Sequence, residues 1–213
     1  MPEFAPSAIT PDQPSPLHRR RMDAVRRALA RFGARRIADL GCGRGPLLIE
    51  LLASGQIDYA VAVDRDHDAL RSLSRRLPSA AAEVDLRLAC FMDRRIPPAA
   101  VDAVLLIETI EHIAPSRLSA VEYALFRHWR PRLVLLTTPN ADYNPLLGAP
   151  PHRRRHWDHQ FEWGRRRFAA WAQGCARRNN YRLALEDVGP VIPGVGGASQ
   201  MALFTAAPAS QET

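Results

Sequence analysis

Residues 38 to 46 read ADLGCGRGP, with Gly41, Gly43 and Gly45 in alternate positions. Glycine permits a positive φ and lets the backbone come close to a ligand, which is why such turns lie under nucleotides at the carboxyl edge of parallel sheets. The spacing is G-x-G-x-G and not the G-x-G-x-x-G of dinucleotide sites. The stretch therefore predicts a first strand that ends near Asp39 and a ligand-binding turn before a helix.

Apolar runs alternate with segments of helical spacing on both sides of this turn. Five runs predict strands, at residues 36–40, 60–64, 84–89, 101–107 and 133–138. Helical spacing begins near His18 and recurs near residues 46–54, 67–77 and 116–129. Such alternation is typical of an α/β fold with a doubly wound, mostly parallel sheet. Residues 181–188 and 200–206 predict an antiparallel pair of strands that closes the sheet.

The second predicted strand ends at Asp64 in the string VAVDRD. A carboxylate there can accept hydrogen bonds from both hydroxyls of a ribose. Because this carboxylate and the glycine turn follow adjacent predicted strands, we interpret them as parts of one nucleotide site. The alternative is a tight turn and a helix cap without a ligand.

Length and composition limit the class of protein. The chain has 213 residues, which favours one domain whose core needs no disulfide or metal. We expect disordered tails at residues 1–16 and 208–213 and a folded domain at residues 17–207. The three cysteines lack the spacing of a disulfide framework or a zinc site, which favours a reducing cytoplasm. No apolar window is long enough for a membrane span, so we expect no membrane partner.

The charge balance is strongly positive. The formal net charge is +7, and all 29 basic residues are arginine. A positive balance favours a polyanionic partner, since neutralising phosphates is the main sequence-independent source of nucleic-acid affinity. GC-rich coding is a rival explanation for the arginines. Their clustering at residues 18–21, 152–155 and 165–167 is an additional argument for a charged partner.

The strings DLGCGRG and VDRD resemble those of the class I S-adenosylmethionine-dependent methyltransferases, which have a Rossmann-like fold. The resemblance implies that S-adenosylmethionine is the cofactor. The matching cofactor-binding positions are Asp39, Gly41, Gly43, Asp64, Met92 and Asp93. The first three would lie at the amino-acid end of the cofactor, Asp64 at its ribose and the last two over its adenine.

Residues 107 to 113 read IETIEHI, in which Glu108, Glu111 and His112 have the i, i+3, i+4 spacing of one helix face. Such a triplet is either a solvated helix face or a set of ligands. Glu108 falls at the carboxyl end of the fourth predicted strand, the edge where substrates meet the cofactor. Small-molecule methyltransferases of this class often have a similar string without a metal, so the string alone leaves both interpretations open.

Two later segments narrow the choice, TTPNADYNPLL at residues 137–147 and HRRRHWDHQFEWGRRRFAAWA at residues 152–172. Together with ETIEH they resemble the family of RNA 3′-terminal 2′-O-methyltransferases of the HUA-enhancer type, over roughly residues 18–206. The resemblance implies that a methyl group passes to the 2′-hydroxyl of the last ribose of a small RNA. The expected partner is therefore an RNA 3′ end.

The family pattern implies that four residues bind one divalent cation and are catalytic: Glu108, Glu111, His112 and His159. Two imidazoles and two carboxylates without a thiolate suit Mn²⁺, Co²⁺ or Mg²⁺ better than a structural zinc. His159 is preferred to His156 because it is the histidine of the D-H-x-F-E-W string. Asp158 either orients His159 or only forms a turn. His152 and His156 either contact phosphate or are loop residues.

Further residues around these ligands are candidates for RNA contacts: Asn140, Tyr143, Asn144, Arg153, Arg154 and Arg155. The amides and the tyrosine would hydrogen-bond to or stack on the terminal nucleotides, and the arginines would contact phosphates. The alternatives are a solvated face for the arginines, including those at 165–167, and core packing for Tyr143. Phe168 and Trp171 have helical spacing and are interpreted as core, whereas Phe161 and Trp163 fit either role.

Bacterial members of the family often carry a separate amino-terminal domain that supports partnership with an RNA end-repair enzyme, for which 213 residues leave no room. A repair partner is therefore an open expectation, and we expect a monomer. The alternative function is metal-independent methylation of a small molecule, and a third is a binding module without catalysis. The DHQFEW string argues against the second function, and the full set of ligand types argues against the third.

Overall fold

Seven strands form one sheet at the centre of the computed structural model, which describes residues 15–78, 82–149 and 153–207. The strands are β1 (Arg36–Leu40), β2 (Tyr59–Asp64), β3 (Glu83–Leu88), β4 (Ala103–Ile107), β5 (Leu133–Pro139), β6 (Tyr181–Ile192) and β7 (Gly196–Ala206). Their order is β3-β2-β1-β4-β5-β7-β6. The first five are parallel, and β7 pairs antiparallel with both β5 and β6. The predicted doubly wound sheet with a closing antiparallel pair is confirmed.

The strand order reverses between β1 and β4. β1 pairs with β2 on one side and with β4 on the other, where residues 37–39 face residues 103–105. The chain leaves these two strands in opposite directions, so a crevice opens beyond their carboxyl ends. The glycine turn that follows β1 and the IETIEHI string that ends β4 meet at this crevice.

Helices cover both faces of the sheet. They are α1 (Pro16–Arg31), α2 (Pro46–Ala53), α3 (His67–Arg76), α4 (Leu118–Tyr123) and α5 (Arg165–Asn179). A π-helical segment, Ala124–Trp129, continues α4, and 3₁₀ turns occupy Ile110–His112, Pro115–Arg117 and Ala141–Leu147. The helices α1, α2 and α3 pack on one face, and α4 and α5 pack on the other. No described helix has the length and apolar character needed to cross a bilayer.

The core is packed on both sides of the sheet. On the α4 and α5 side, the ring of Phe126 meets those of Tyr181 and Phe204 edge to face, with centroids 5.0 and 4.9 Å away. The Tyr181 hydroxyl donates a hydrogen bond to the backbone oxygen of Pro131 at 2.6 Å, so this buried polar atom is satisfied. Because both faces are covered, the central strand β4 is apolar along its whole length.

The folded part of the chain begins earlier than the sequence predicted. The helix begins at Pro16, so the assignment of that residue to a disordered tail was wrong. The Ser15 hydroxyl accepts a hydrogen bond from the backbone N–H of His18 at 3.2 Å, and a proline suits the first helical position because its missing N–H would have no partner there. Residues 1–14 and 208–213 lie outside the described residues, so the prediction of disordered tails stays a prediction.

Two elements differ in extent from the sequence prediction. The hairpin strands β6 and β7 each extend four residues further toward their turn, because pairing resumes after an irregularity between Val188 and Val191. Residues 116–129 were predicted as one helix but form a 3₁₀ turn, α4 and the π-helical segment. The five parallel strands agree with the predicted ranges to within two residues at each end.

The turn after β1 requires glycine at position 41. Gly41 has a φ of +77°, and a Cβ atom placed there would lie 2.5 Å from Cγ2 of Thr109. The hydroxyl of Thr109 donates a hydrogen bond to the backbone oxygen of Ile107 at 3.0 Å, which fixes its side chain beside the end of β4. Glycine therefore allows the loops after β1 and β4 to pack directly against each other.

We predict that Gly41→Ala destabilises the protein more than Gly33→Ala. Both residues have a positive φ, +77° and +58°, so alanine costs about 1–2 kcal/mol at either position. A Cβ at position 33 meets nothing within 4 Å, whereas one at position 41 overlaps Thr109, and overpacking adds about 1–3 kcal/mol. Urea unfolding followed by circular dichroism measures both free energies of unfolding. Equal losses would show that Thr109 moves aside freely.

Candidate active site

A cleft of about 580 Å³ opens at the crevice beyond β1, β2 and β4. Gly41, Gly43 and Asp64 line it, and so do Glu108 and His112. Its volume is in the range of about 300–1,000 Å³ that is typical of small-molecule sites. The predicted cofactor turn and two predicted metal ligands therefore share one cavity.

Asp64 is held by two backbone N–H groups at the end of β2. Its Oδ2 accepts a hydrogen bond from the N–H of Gly43 at 2.7 Å, and its Oδ1 accepts one from the N–H of Asp66 at 2.8 Å. These bonds fix the carboxylate at the wall of the cleft. This is the place that the predicted contact with a ribose requires, and the contact itself stays a prediction.

Asp39 lies behind the wall of the cleft. Its side chain is buried and does not line the cavity. Burial, with a further contribution from the charge of Asp64, raises the pKa of Asp39 to about 7. Two carboxylates near the glycine turn thus favour a cationic ligand, which would offset the cost of their charges.

The predicted adenine segment is only partly in the cleft. Met92 lines the cavity beside Phe91. The carboxylate of Asp93 instead pairs with Arg95, at 2.6 Å from Oδ2 to Nη2, and hydrogen bonds from this arginine lower the pKa of Asp93 to about 2. Phe91, which the sequence did not single out, is therefore better placed than Asp93 to cover an adenine.

The IETIEHI string is not a helix face. Glu108 directly follows β4 with a φ of +48°, and Ile110–His112 form a single 3₁₀ turn. Glu111 is fully buried, and the side chain of Glu108 is only 20% exposed. The interpretation as a solvated helix face was therefore wrong.

Three of the four predicted metal ligands come together. One ligand atom from each of Glu111, His112 and His159 lies within 4.8 Å of the others, and we call these three residues the ligand group. The two imidazole rings meet edge to face, with centroids 4.8 Å apart. The fourth residue, Glu108, lies outside this group, and its Oε2 pairs with Nη2 of Arg21 at 2.8 Å.

The chemistry of these residues fits a divalent cation. Among the described residues, Oε1 of Glu111 and Oε1 of Glu108 are buried without a hydrogen-bond partner. Burial and the charge of Glu108 raise the pKa of Glu111 well above its usual value. Burial also lowers the pKa of His112, which favours the neutral imidazole that binds metals. A cation would coordinate the unpaired oxygens and offset the buried negative charge.

His159 is fixed by Glu162. Its Nδ1 lies 2.6 Å from Oε1 of Glu162, which leaves Nε2 for the ligand group. Burial would raise the pKa of Glu162, but hydrogen bonds from His159, Asn144 and Arg155 outweigh it and keep that pKa below its usual value. Glu162 is therefore a charged acceptor, the partner that commonly fixes the tautomer of a metal-binding histidine.

Asp158 orients other histidines. Its Oδ2 lies 3.0 Å from Nδ1 of His112, and its Oδ1 pairs with Nδ1 of His156. The interpretation that Asp158 orients His159 was wrong, because Glu162 already occupies Nδ1 of His159. Both histidines of the ligand group thus have a carboxylate partner.

Three of the predicted RNA contacts are engaged inside the protein. Asn140 is fully buried, and its amide donates hydrogen bonds to two backbone oxygens of the β6–β7 hairpin at 2.9 Å each. The Asn144 amide donates to Oε2 of Glu162 at 2.6 Å. Arg155 donates to Oδ1 of Asn144 at 2.6 Å and to a backbone oxygen of β7 at 2.8 Å. We therefore assign these side chains a supporting role in place of a direct contact with RNA.

Of the other three residues predicted to contact RNA, one is buried and two are exposed. Tyr143 is buried, which favours the alternative of core packing. Arg153 and Arg154 are exposed, and Arg154 donates a hydrogen bond to the backbone oxygen of His159. Contacts between these two arginines and phosphate stay predictions.

The aromatic residues of the DHQFEW segment belong to the core. Phe161 and Trp163 are buried and stack with ring centroids 4.3 Å apart. Phe168 is also buried, as the helical spacing predicted. The burial of Phe161 and Trp163, whose role the sequence left open, favours core packing.

Three supporting residues were missed by the sequence analysis: Arg21, Thr138 and Glu162. The hydroxyl of Thr138 donates a hydrogen bond to Oε2 of Glu111 at 3.1 Å. The sequence could have indicated Glu162, since it lies three residues after His159 in the DHQFEW string. Arg21 carried none, because its partner Glu108 is distant in sequence and tertiary packing alone brings them together.

Sequence comparisons relate the chain to known methyltransferases. The model of a family described as a methyltransferase domain matches residues 37–132. A protein of Mus musculus named small RNA 2′-O-methyltransferase is 32% identical over 216 residues, which cover 95% of this chain and 54% of the relative. The chain spans about half the length of the curated relatives that it matches first.

Two crystal structures share the fold over most of the chain. The methyltransferase domain of bacterial CtHen1 is 31% identical with a TM-score of 0.79, covering 89% of this chain and 99% of that one. The small RNA methyltransferase HEN1 is 26% identical with a TM-score of 0.83, covering 97% of this chain and 27% of that one. These likenesses confirm the resemblance predicted from the sequence. The chain therefore belongs to the Hen1 family of methyltransferases and has the class I S-adenosylmethionine-dependent fold.

Proposed function

We propose that this domain transfers a methyl group from S-adenosylmethionine to the 2′-hydroxyl of the 3′-terminal ribose of a small RNA. The observation that carries the proposal is the position of His112, a member of the ligand group, in the same cleft as the glycine turn and Asp64. The name of the mouse relative supports a 2′-oxygen of small RNA as the acceptor, and the name of the HEN1 structure supports small RNA as the substrate. An RNA end-repair partner and a monomeric state stay predictions.

We infer that one divalent cation binds to Glu111, His112 and His159. Glu108 would be the fourth ligand if its carboxylate turned from Arg21 toward the group. Mn²⁺, Co²⁺ or Mg²⁺ suits this mixture of carboxylates and imidazoles. Such a cation, when bound, supplies Lewis-acid chemistry, since it lowers the pKa of a hydroxyl in contact with it and orients that oxygen.

The protein's own residues would contribute mainly by positioning. The glycine turn and Asp64 hold the donor, and Asp158 and Glu162 hold the two imidazoles in one tautomer each. Glu111 and His159 are buried, so an acceptor that reaches them leaves bulk water, where charge interactions are weaker. Fixing the attacking oxygen in line with the methyl carbon would supply much of the rate.

We predict that the protein labels only RNA with a terminal 2′-hydroxyl. The test uses labelled S-adenosylmethionine and a short RNA that ends in either a 2′-hydroxyl or a 2′-deoxy ribose, with Mn²⁺ or with EDTA. We expect labelling only of the 2′-hydroxyl RNA with Mn²⁺, and a product that resists periodate because its terminal diol is blocked. Labelling that persists in EDTA would contradict the role of the cation.

Variants of the ligand group sharpen this test. His159→Ala and Glu111→Gln should remove most activity, whereas His67→Ala, which changes an exposed histidine of α3, should retain it. If no RNA is labelled although the protein binds S-adenosylmethionine, the acceptor proposal fails. Metal-independent methylation of a small molecule would then be the better interpretation.

We predict that Glu162→Gln weakens Mn²⁺ binding by about 10- to 100-fold, because a neutral amide fixes the tautomer of His159 less well than a carboxylate. Calorimetric titration with Mn²⁺ measures this change, and affinity for S-adenosylmethionine should stay the same. Glu122→Gln is the matched control, since Glu122 pairs with Arg178 away from the ligand group. Unchanged Mn²⁺ affinity in Glu162→Gln would refute the supporting role of Glu162.

We predict that affinity for S-adenosylmethionine falls as the pH drops below about 7, the raised pKa of Asp39. Below that pH, Asp39 is neutral in the free protein, and a cationic ligand must displace its proton. Linkage then lowers affinity by up to about tenfold per pH unit, while affinity levels off above the pKa. Calorimetry across this range should show the slope in the wild type and lose it in Asp39→Asn, which also controls for titration of the cofactor. An equal slope in both proteins would exclude Asp39 as the cause.

A further inference from the structure

Trp157 is the most exposed large apolar side chain among the described residues. It is 88% exposed, and the next value in that class is 58%, for Val191. Burying an indole is normally favourable. Trp129 and Trp163 are buried in the core, whereas Trp157 is not. A role in the core therefore does not account for Trp157.

The position of Trp157 is beside the ligand group. It follows His156 and precedes Asp158, and the His156 ring lies 5.7 Å from those of both Trp157 and His159. Asp158 and Gln160 line the cleft, but Trp157 does not. The indole thus lies outside the cavity of the donor, exposed to solvent and one residue away from two side chains that contact the ligand group.

The turn that carries Trp157 is anchored. The backbone N–H of Gln160 donates a hydrogen bond to the backbone oxygen of Glu111 at 2.7 Å, and the Arg154 guanidinium donates one to the backbone oxygen of His159. The exposed indole is therefore attached to a fixed backbone, which lowers the entropic cost of binding a partner.

The charged residues near Trp157 in the sequence indicate which class of partner its indole would bind. Exposed Arg153 and Arg154 precede it, and His156 and Asp158 flank it, so the surface is too polar for an apolar protein contact or a membrane. An exposed aromatic ring beside cationic side chains is typical of sites for single-stranded nucleic acid, in which a base stacks and a phosphate pairs. The expected ligand is a nucleobase.

We propose that Trp157 forms a nucleobase-binding site in which its indole stacks on the base of the 3′-terminal nucleotide. This inference rests on the proposed function, since the ribose of that nucleotide is the acceptor at the ligand group. Stacking positions the ribose without reading the identity of the base, because every base has a π-face. The site therefore accepts all four terminal bases.

The test combines a protein variant with a modified substrate. Methyl transfer is measured for wild type, Trp157→Ala and Trp157→Phe on an RNA with an intact terminal nucleotide and on one whose terminal ribose lacks its base. On intact RNA, Trp157→Ala should raise KM by about 10-fold or more with little change in kcat, and Trp157→Phe should retain most of the affinity. On the abasic RNA, wild type and Trp157→Ala should have the same KM. Leu185→Ala, which truncates a 43% exposed side chain of β6, is the matched control and should change neither.

Any of the following results would contradict the proposed stacking of Trp157 on the terminal base. An equal loss on intact and abasic RNA would show that Trp157 does not contact the terminal base, and a loss cancelled only by removing the penultimate base would move the stack to that base. Reduced Mn²⁺ affinity of Trp157→Ala in calorimetry would show that the tryptophan acts through the ligand group. If the wild type methylates RNA and Trp157→Ala matches it, only this inference fails. If the wild type methylates no RNA, the proposed function fails as well.

Discussion

The fully buried carboxylate of Glu111 sets the requirement that the rest of the site meets. Thr138 donates a hydrogen bond to one of its oxygens, while the other has no partner among the described residues. Glu108 brings a second negative charge nearby, which Arg21 offsets only in part. Burying unpaired charge costs several kcal/mol, so this arrangement is favourable only with a proton or a cation. A divalent cation between Glu111, His112 and His159 is the partner that suits all three donors.

Strand pairing brings Glu111, its hydrogen-bond donor Thr138 and Glu108 close together. The register between β4 and β5 sets Ile107 opposite Thr137, so Glu108 and Thr138 emerge side by side at the edge of the sheet. The segment that carries His159 is linked to the residue that follows β5 by an isolated bridge between Asn140 and Trp163. The side chains that were first interpreted as RNA contacts complete this support, because the position of His159 depends on Glu162 and its hydrogen-bonded neighbours.

The sequence predicted features that depend on local pattern. The parallel strands, the glycine turn and Asp64 follow from short strings whose meaning does not depend on distant residues. The partner of His159 could not be predicted in this way, since Asp158 and Glu162 are both close to it in sequence and only the folded backbone decides between them. The helical interpretation of IETIEHI failed for a related reason. The tertiary packing at the end of β4 holds Glu108 at a positive φ, which residue spacing does not encode.

Tertiary contacts also change the interpretation of the arginine clusters. Arg21 and Arg155 belong to clusters that suggested a polyanion, yet one pairs with Glu108 and the other binds Asn144 and the backbone of β7. The number of arginines in these clusters therefore overstates how many are free to contact a polyanion. Arg155 anchors its segment by hydrogen bonds to the fold, while Arg153 and Arg154, which precede Trp157 in the sequence, are exposed. An anchored surface loses less entropy when it binds, so the half-buried Arg155 would support the phosphate contacts proposed for the two exposed arginines.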